Sequence, residues 1–525
     1  MEELTQIIVI KDGSTVFSNE DPNMGGEEVF SEIVSSDGVH KYYILGFNSS
    51  GTGIVKEVSV FAGNPFDGGT GTDESPYLVS TPQQLSNVRF FNKYDGKVKY
   101  FLQTNDMNLD IEPWNTGEGW EPIDDFEGVY NGDGYKITNL FINRPNNNEV
   151  GLFSDSGYGG SKNKQDSGTI ENLIIENGNI TGHNLTGSVI GSGSRMNNIK
   201  CHNISIEGND HLGGIAGKGY VFSNCRFEGF ISGNNRIGGI TSFAAELTNC
   251  YTDINISGND YVGGMVGYSE GLNQLNISLS SSRGNITAEK SAGGFIGLYE
   301  GDSGEITDCY SRVNISGDMY IGGFSGRLSI WYGGIIDSYS TGSVTCSSSL
   351  QGGFNAYSNW DEDDVYNSYW DMEASGQTDS EGGEGRNTDE MKDPDPEYTY
   401  VGWNFQDIWR IDPLVNNGYP FLLWELTDIE DQQHLPETVM LEQNYPNPFN
   451  PLTKINYTIP SGITDNIRLD VYNSKGQLIR RLVDKKHNPG KYTVNFNASG
   501  LNSGIYFYAL RTGNTVKSRK MVLLK

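Results

Sequence analysis

The feature that most constrains this chain is a Gly-Gly pair that returns six times in its middle. HLGGIAGKG (211–219), RIGGITSFA (236–244), YVGGMVGYS (261–269), SAGGFIGLY (291–299), YIGGFSGRL (320–328) and LQGGFNAYS (350–358) are variants of one element, at intervals of 25 to 30 residues. A second element runs between them: NCRFEGFISG (224–233), NCYTDINISG (249–258), DCYSRVNISG (308–317) and DSYSTGSVTC (337–346). Alternate positions in it are small or apolar, and Gly-Asn or Gly-Asp punctuates it. Period-two alternation of that kind marks short strands. A rung of two or three such strands cannot bury its apolar face alone, but it can when each strand pairs with its equivalent one rung away. The expected fold of this region is therefore all-β, a parallel solenoid, most simply a right-handed parallel β-helix. The Gly-Gly pairs answer a need for positive φ or for close backbone approach. Cys201, Cys225, Cys250 and Cys309, continued by Ser338, are expected to form one inward column.

Composition narrows the function. The 525 residues carry 36 Lys and Arg against 67 Asp and Glu, a net charge of −31. That balance excludes a nucleic-acid binder, which needs an excess of cations to replace phosphate counterions. It disfavours a binder of anionic membranes for the same reason. No apolar stretch is long enough to span a bilayer. The start, MEELTQIIVIKDG, shows no signal peptide. Five cysteines with no CxxC pattern point neither to a disulfide scaffold nor to zinc.

The xGGxxG elements followed by NCY and DCY strands resemble the GLUG-motif repeats of bacterial surface and secreted proteins. The resemblance covers roughly 150–370. FEGVYNGDGYKITNLFI (126–142) is similar to the opening rungs of such β-helices. GTGTDESPYLVSTPQQLSNV (69–88) reads as a strand running into a short helix that plugs the N-terminal end, with Thr81 as N-cap, Pro82 at the first helical position and Gln84 completing a capping box. Residues 367–424 look like a closing segment whose Trp370, Trp403, Phe405, Trp409 and Tyr419 cap the other end. The last part is different in kind. LEQNYPNPFNPLTKINYTIP (441–460), alternating strands and a basic end closely resemble the type IX secretion sorting domain of Bacteroidota and relatives. The resemblance implies a sorting signal carried by Asn444, Tyr445, Pro446, Asn447, Pro448, Phe449, Gly504, Tyr506 and Lys525. It also implies the type IX machinery as partner and an extracellular or outer-surface location. Residues 1–62 resemble the later strands of a fibronectin type III domain, with Tyr42, Ile44, Gly46 and Asn48 on its characteristic strand. The missing first strands and missing signal peptide lead us to expect further chain upstream. These resemblances imply an all-β chain, a right-handed parallel β-helix flanked by two small β-sandwich domains: 1–62, a partial fibronectin type III-like sandwich; 63–425, the β-helix; 426–440, a linker; and 441–525, the sorting domain.

Several β-helix proteins are polysaccharide lyases or glycosidases, so acid/base pairs were sought. Asp124–Asp125, the run Asp361–Glu362–Asp363–Asp364, and the column Asp253/Arg312 are the candidates. In the last, each charge is expected to stand alone on its rung. The run lacks the glycine spacing of an EF-hand, and a solvated loop is favoured over a weak Ca²⁺ site at Asp361, Asp363 and Asp364. No catalytic set and no cofactor emerge. Tyr251, Tyr310 and Tyr339, joined by Tyr369, are expected to form an outward column, with Arg226 at its N-terminal end. Such a row either stacks on sugar faces or is a structural aromatic ladder, and the ladder is favoured. The expected role is adhesion, with many shallow contacts to glycan, matrix or a neighbouring cell. A polysaccharide-degrading enzyme and a passive stalk for an upstream catalytic domain are the alternatives.

Overall fold

The computed structural model describes residues 4–11, 14–19, 38–48, 53–62, 64–93, 96–156, 168–270, 275–301, 303–330, 332–359, 364–393, 395, 398–426, 439–441, 443–444, 446–459, 466–486, 490–512 and 515–524. The chain divides into two compact units, 1–421 and 422–525. In the first, the repeats wind into a parallel β-solenoid of about 9 turns. Tyr251–Gly258 pairs in parallel with Arg226–Ser232 on the preceding rung and with Ser281–Gly293 on the next. Each rung presents three faces. The first holds short strands such as Glu246–Thr248, the second holds Tyr251–Gly258, and the third holds Asp260–Gly263 and Val266–Ser269.

Alternation sends every second residue of these strands inward. On the first face Phe101, Tyr130, Ile170, Met196, Phe222, Leu247, Ile277 and Ile306 follow one another rung by rung. All are buried in one continuous core. Phe295, Phe324 and Phe354 stack inside it with ring centroids 4.7 Å apart. Leu85 and Val88, from the helix Pro82–Asn87 and the turn after it, are buried in the same core. Thr81 caps that helix, but Gln84 Oε1 accepts from Ser80 N rather than from Thr81 N, so the capping box is not formed.

Of the two needs offered for the Gly-Gly pairs, close approach applies. Neither glycine of these pairs has positive φ; that conformation falls on the residue two places earlier, as in His211, Arg236, Tyr261 and Tyr320. A Cβ on Gly264 would lie under 3.0 Å from the carbonyl oxygen of Gly294 on the next rung. The cysteines occupy two columns, not one. Cys201 aligns with Phe227 and Thr252, whereas Cys225, Cys250 and Cys309 precede the second-face strands. Serines share that second column: Ser280 and Ser338 Oγ accept from the N–H groups of Cys250 and Cys309, one rung back. A small side chain that can hydrogen-bond is what this corner selects.

Leu4–Lys11, Ser14–Asn19, Gly38–Asn48 and Gly53–Ala62 form a separate antiparallel sheet. The side chains of this segment, Tyr42, Ile44 and Asn48 included, lie outside the described residues. The expected linker 426–440 falls mostly within 427–438, also outside them. In the second unit an antiparallel sheet of Met440–Leu441, Leu452–Ile459 and Gly490–Asn497 accompanies a four-stranded one of Leu478–Lys486, Asn466–Asn473, Gly504–Thr512 and Thr515–Leu523. They enclose one core that includes Phe449, Leu469, Tyr508 and Leu523.

Candidate functional site

The tyrosine column exists, but it is not exposed. Its members follow in register as Arg226, Tyr251, Ser281, Tyr310, Tyr339 and Tyr369, so Ser281 interrupts the row. Tyr310 and Tyr339 stack at 5.0 Å with planes 4° apart. Tyr251 lies between the guanidinium groups of Arg226 and Arg283, at 5.7 and 5.0 Å. All four tyrosines are buried: Tyr251 packs between its two arginines, and the closing segment crosses over Tyr310, Tyr339 and Tyr369. Trp409 lies 6.1 and 6.0 Å from Tyr310 and Tyr339, and Trp403 covers Tyr339 and Tyr369. Hydrogen bonds fix the cover: Trp409 Nε1 donates to Asp308 Oδ1 at 2.8 Å, Trp403 Nε1 to Asn367 O at 2.9 Å, and Tyr419 OH to Asp371 Oδ2 at 2.7 Å. Trp370 alone of the five expected capping aromatics belongs to the solenoid's interior core. Buried in this way, the four tyrosines present no open platform to a sugar chain, and Tyr310 and Tyr339 stack on each other.

The acidic candidates separate. Asp361, Glu362 and Asp363 lie outside the described residues, and Asp364 is half-buried. The charges at Asp253 and Arg312 do not stand alone: Arg283, one rung beyond Asp253, pairs with it at 2.9 Å, and Arg312 donates to Asn416 of the closing segment. Asp124 and Asp125 meet Asp155, the three carboxylates lying within 4.8 Å of one another. Burial and these three carboxylates raise the pKa of nearby Glu149. Such oxygens suit a hard cation, although Lys93 already pairs with Asp125 at 3.3 Å.

Two surfaces escaped the sequence reading. The first face carries a groove of about 730 Å³ whose lining includes Asp73, Tyr100, Glu171, Arg195, Asn197 and Glu246. Burial, then the charge of Asp73, raises the pKa of Glu171, whose Oε1 accepts from Asn131 at 3.0 Å. The third face carries a strip of rings and cations. Lys218, Phe243, Tyr268, Leu298 and Arg327 succeed one another on successive rungs, beside the corner residues His211, Arg236, Tyr261 and Tyr320. Lys218 Nζ lies 4.9 Å from the Phe243 ring, Arg236 5.1 Å from Tyr268 and 5.7 Å from Tyr261, and Arg327 5.4 Å from Tyr320. Phe243 is buried beneath its neighbours, while Tyr220, Tyr261, Tyr268 and Tyr320 are part-exposed. Burial, Arg236 and Lys218 hold His211 down at about 4, so the imidazole is neutral at ordinary pH. The available signal was in the repeats themselves, where in all but the 291–299 copy a ring or cation stands two places before the Gly-Gly dipeptide or four places after its second glycine.

In the second unit the residues expected to carry the sorting signal clamp the two ends of the module together. Asn444 is buried; its N–H donates to Tyr508 OH at 2.7 Å, and its amide to Thr453 Oγ1 at 2.9 Å and Pro446 O at 3.0 Å. Asn447 Oδ1 accepts from Val522 N at 2.8 Å, and Phe449 N donates to Val522 O at 2.9 Å. Tyr506 OH donates to Asn502 O at 2.8 Å, and Gly504 opens that strand. Pro446 and Pro448 are exposed; Tyr445 and Lys525 lie outside the described residues.

Residues 443–524 match the family model described as the secretion system C-terminal sorting domain. This module directs export by type IX secretion to the cell surface or extracellular space. No helix among the described residues is long and apolar enough to cross a membrane. The chain is 37% identical over 150 residues to a protein described as a putative Gly-rich membrane protein of Evansella cellulosilytica, and 36% identical over 155 residues to Halomucin of Haloquadratum walsbyi. These stretches cover 27% and 28% of this chain but only 16% and 2% of those relatives. Among solved structures, one described as a putative immunoglobulin A1 protease from Bacteroides ovatus aligns with 69% of this chain and 96% of its own, at 19% identity and a TM-score of 0.37. An IgA1 protease aligns with 70% of this chain and 29% of its own, at 12% identity and a TM-score of 0.31.

Proposed function

We propose that the solenoid is the adhesive part of an exported protein and holds a glycan chain along its third face. The strip of part-exposed tyrosines interleaved with Lys218, Arg236 and Arg327 carries this reading. The part-exposed rings of Tyr220, of Tyr261 and Tyr268, and of Tyr320 fall on every second rung, roughly 10 Å apart at about 4.8 Å per rung, and the cations between them supply donors to hydroxyl or acidic groups. Many shallow contacts along one ligand chain add up without a deep pocket. The resemblance of the repeats to GLUG-type surface proteins supports the same reading.

The test is a polysaccharide panel read with wild type and with the triple variant Tyr220→Ser/Arg236→Gln/Tyr268→Ser. Binding by wild type that falls at least tenfold in the variant, with unchanged circular dichroism, is expected. Equal binding by both, or none by either, overturns the proposal. A second reading, cleavage of a polysaccharide in the first-face groove, draws on the raised Glu171 beside Asp73 and Arg195. It predicts release of reducing or unsaturated ends that Glu171→Gln abolishes.

A further inference from the structure

Charge is distributed unevenly along the chain. Residues 441–525 hold 13 Lys and Arg against 4 Asp and Glu, a net of +9, whereas residues 1–440 hold 23 against 63. The sorting module is thus a basic body on an acidic chain, and its four-stranded sheet has two unlike faces. Ile467, Leu469, Val471, Tyr508, Leu510 and Met521 point into the core. On the other face Tyr472, Phe507 and Lys520 stand side by side on three adjacent strands, and Arg468, Arg511 and Val516 form a second row. Phe507, on an inner strand, is 39% exposed, and Val516, on the edge strand beside it, 50%. A cleft of about 420 Å³ runs between the rows, lined among others by Tyr472, Phe507, Arg511 and Val516. Asp470, which also points to this side, is buried and neutralised by Arg481 at 2.8 Å. Arg511 and Lys520, by contrast, make no ion pair among the described residues.

We propose that this face is where the sorting domain docks onto the protein machinery that exports the chain, against an acidic surface that offers an apolar projection to the cleft. Exposed rings in a shallow cleft with unpaired cations at its border match the usual anatomy of an interface, an apolar centre and a polar rim. The cations also steer an acidic partner in from a distance. The cargo's own negative charge would be repelled by such a partner, so a locally basic docking face is what allows an acidic chain to be engaged by its end.

The experiment expresses the whole chain behind a secretion leader in a type IX-competent bacterium and measures the surface and extracellular fractions by immunoblot. Arg511→Glu/Lys520→Glu is compared with Lys454→Glu/Lys485→Glu, which changes the charge equally away from the cleft. Thermal melts of both purified proteins check folding. The neutral pair Arg511→Gln/Lys520→Gln repeats the test should the reversal unfold. Export that falls at least tenfold for the cleft variants and holds for the control pair is expected. Equal export, or equal loss, overturns the proposal. So does binding to phosphatidylglycerol vesicles that the cleft variants lose while export is unchanged, which would assign the face to a membrane. A dimer that the same variants split with export unchanged would assign it to a second copy, and equally overturns it.

Discussion

Two rows of aromatic side chains run along the same solenoid, and they have opposite fates. On the second face Tyr310, Tyr339 and Tyr369 lie under Trp403 and Trp409 and are buried. On the third face Tyr261, Tyr268 and Tyr320 meet cations and neighbouring rings of the solenoid itself, and stay part-exposed. Both rows leave the solenoid outward, Tyr268 and the second-face tyrosines by strand alternation and Tyr261 and Tyr320 at left-handed corners. What separates them is a segment that arrives much later in the chain: Trp409 bonds to Asp308 across 101 residues of sequence. Pointing out of a β-helix is therefore a local property, and being exposed is not.

The largest effect should come from removing the cover. Trp409 is fully buried, and replacing so large a core side chain by Ala costs about 3–5 kcal/mol. The loss also strips the indole donor from Asp308, whose pKa burial already raises. Trp409→Ala should lower the denaturant midpoint of the solenoid strongly and expose Tyr310 and Tyr339 to solvent quenchers. A variant that melts with wild type would mean the segment merely rests on the tyrosines, and the contrast between the two rows would fail.

This contrast also marks how far the sequence could be read. The Gly-Gly spacing and the NCY strands define parallel stacking, because a rung of that length has no other way to bury Ile254, Ile256 and Val262. The sorting domain was legible from the NYPNPF segment, because a rare string of prolines and asparagines has few alternative uses. The site was much less legible. Alternation placed Tyr251, Tyr310, Tyr339 and Tyr369 outward, but nothing local to them encodes Trp403 or Trp409. The third-face strip was hidden for another reason. Its members differ from rung to rung, Lys218 then Phe243 then Tyr268, so self-similarity directs attention to the glycines beside them.

A smaller effect tests the corner beneath the cover. Asn198, Asn224 and Asn249 hold the positive-φ corner of early rungs, and Asp308 and Asp337 hold it later. Burial and the Asp308 charge push Asp337 up to about 6, against a bond with Asn367 that pulls it down. The folded value lies above the ordinary carboxyl value of about 3.9. Stability from this group is thus complete below that pH and is lost as pH rises through about 6. Asn suits the same left-handed corner and carries no charge. Asp337→Asn should raise the melting temperature by about 2 °C at pH 7.5 and leave it unchanged near pH 3.5. A gain of equal size at both pH values would show that the carboxylate's charge is not what strains the corner.

The smallest expected effect lies on the open row, and it completes the comparison. Tyr268 is part-exposed; its ring meets Phe243 at 5.8 Å and His211 at 5.5 Å, with Arg236 above it. Cross-rung contacts of this kind contribute about 0.2–1 kcal/mol. A solenoid sums its stability over many neighbouring rungs, so the loss of one such contact is absorbed. Tyr268→Ser should therefore move the denaturant midpoint by less than one-third of the shift seen for Tyr339→Ser, whose ring is fully buried and whose hydroxyl donates to Pro420 O at 2.5 Å. Paired equilibrium melts of the two serine variants read this ratio directly. Equal destabilisation would make the third-face strip a second structural ladder and would remove the physical basis for a ligand there. A large loss at Tyr339 with a small one at Tyr268 leaves the third-face rings conserving little for the fold, and so available for contact with another molecule.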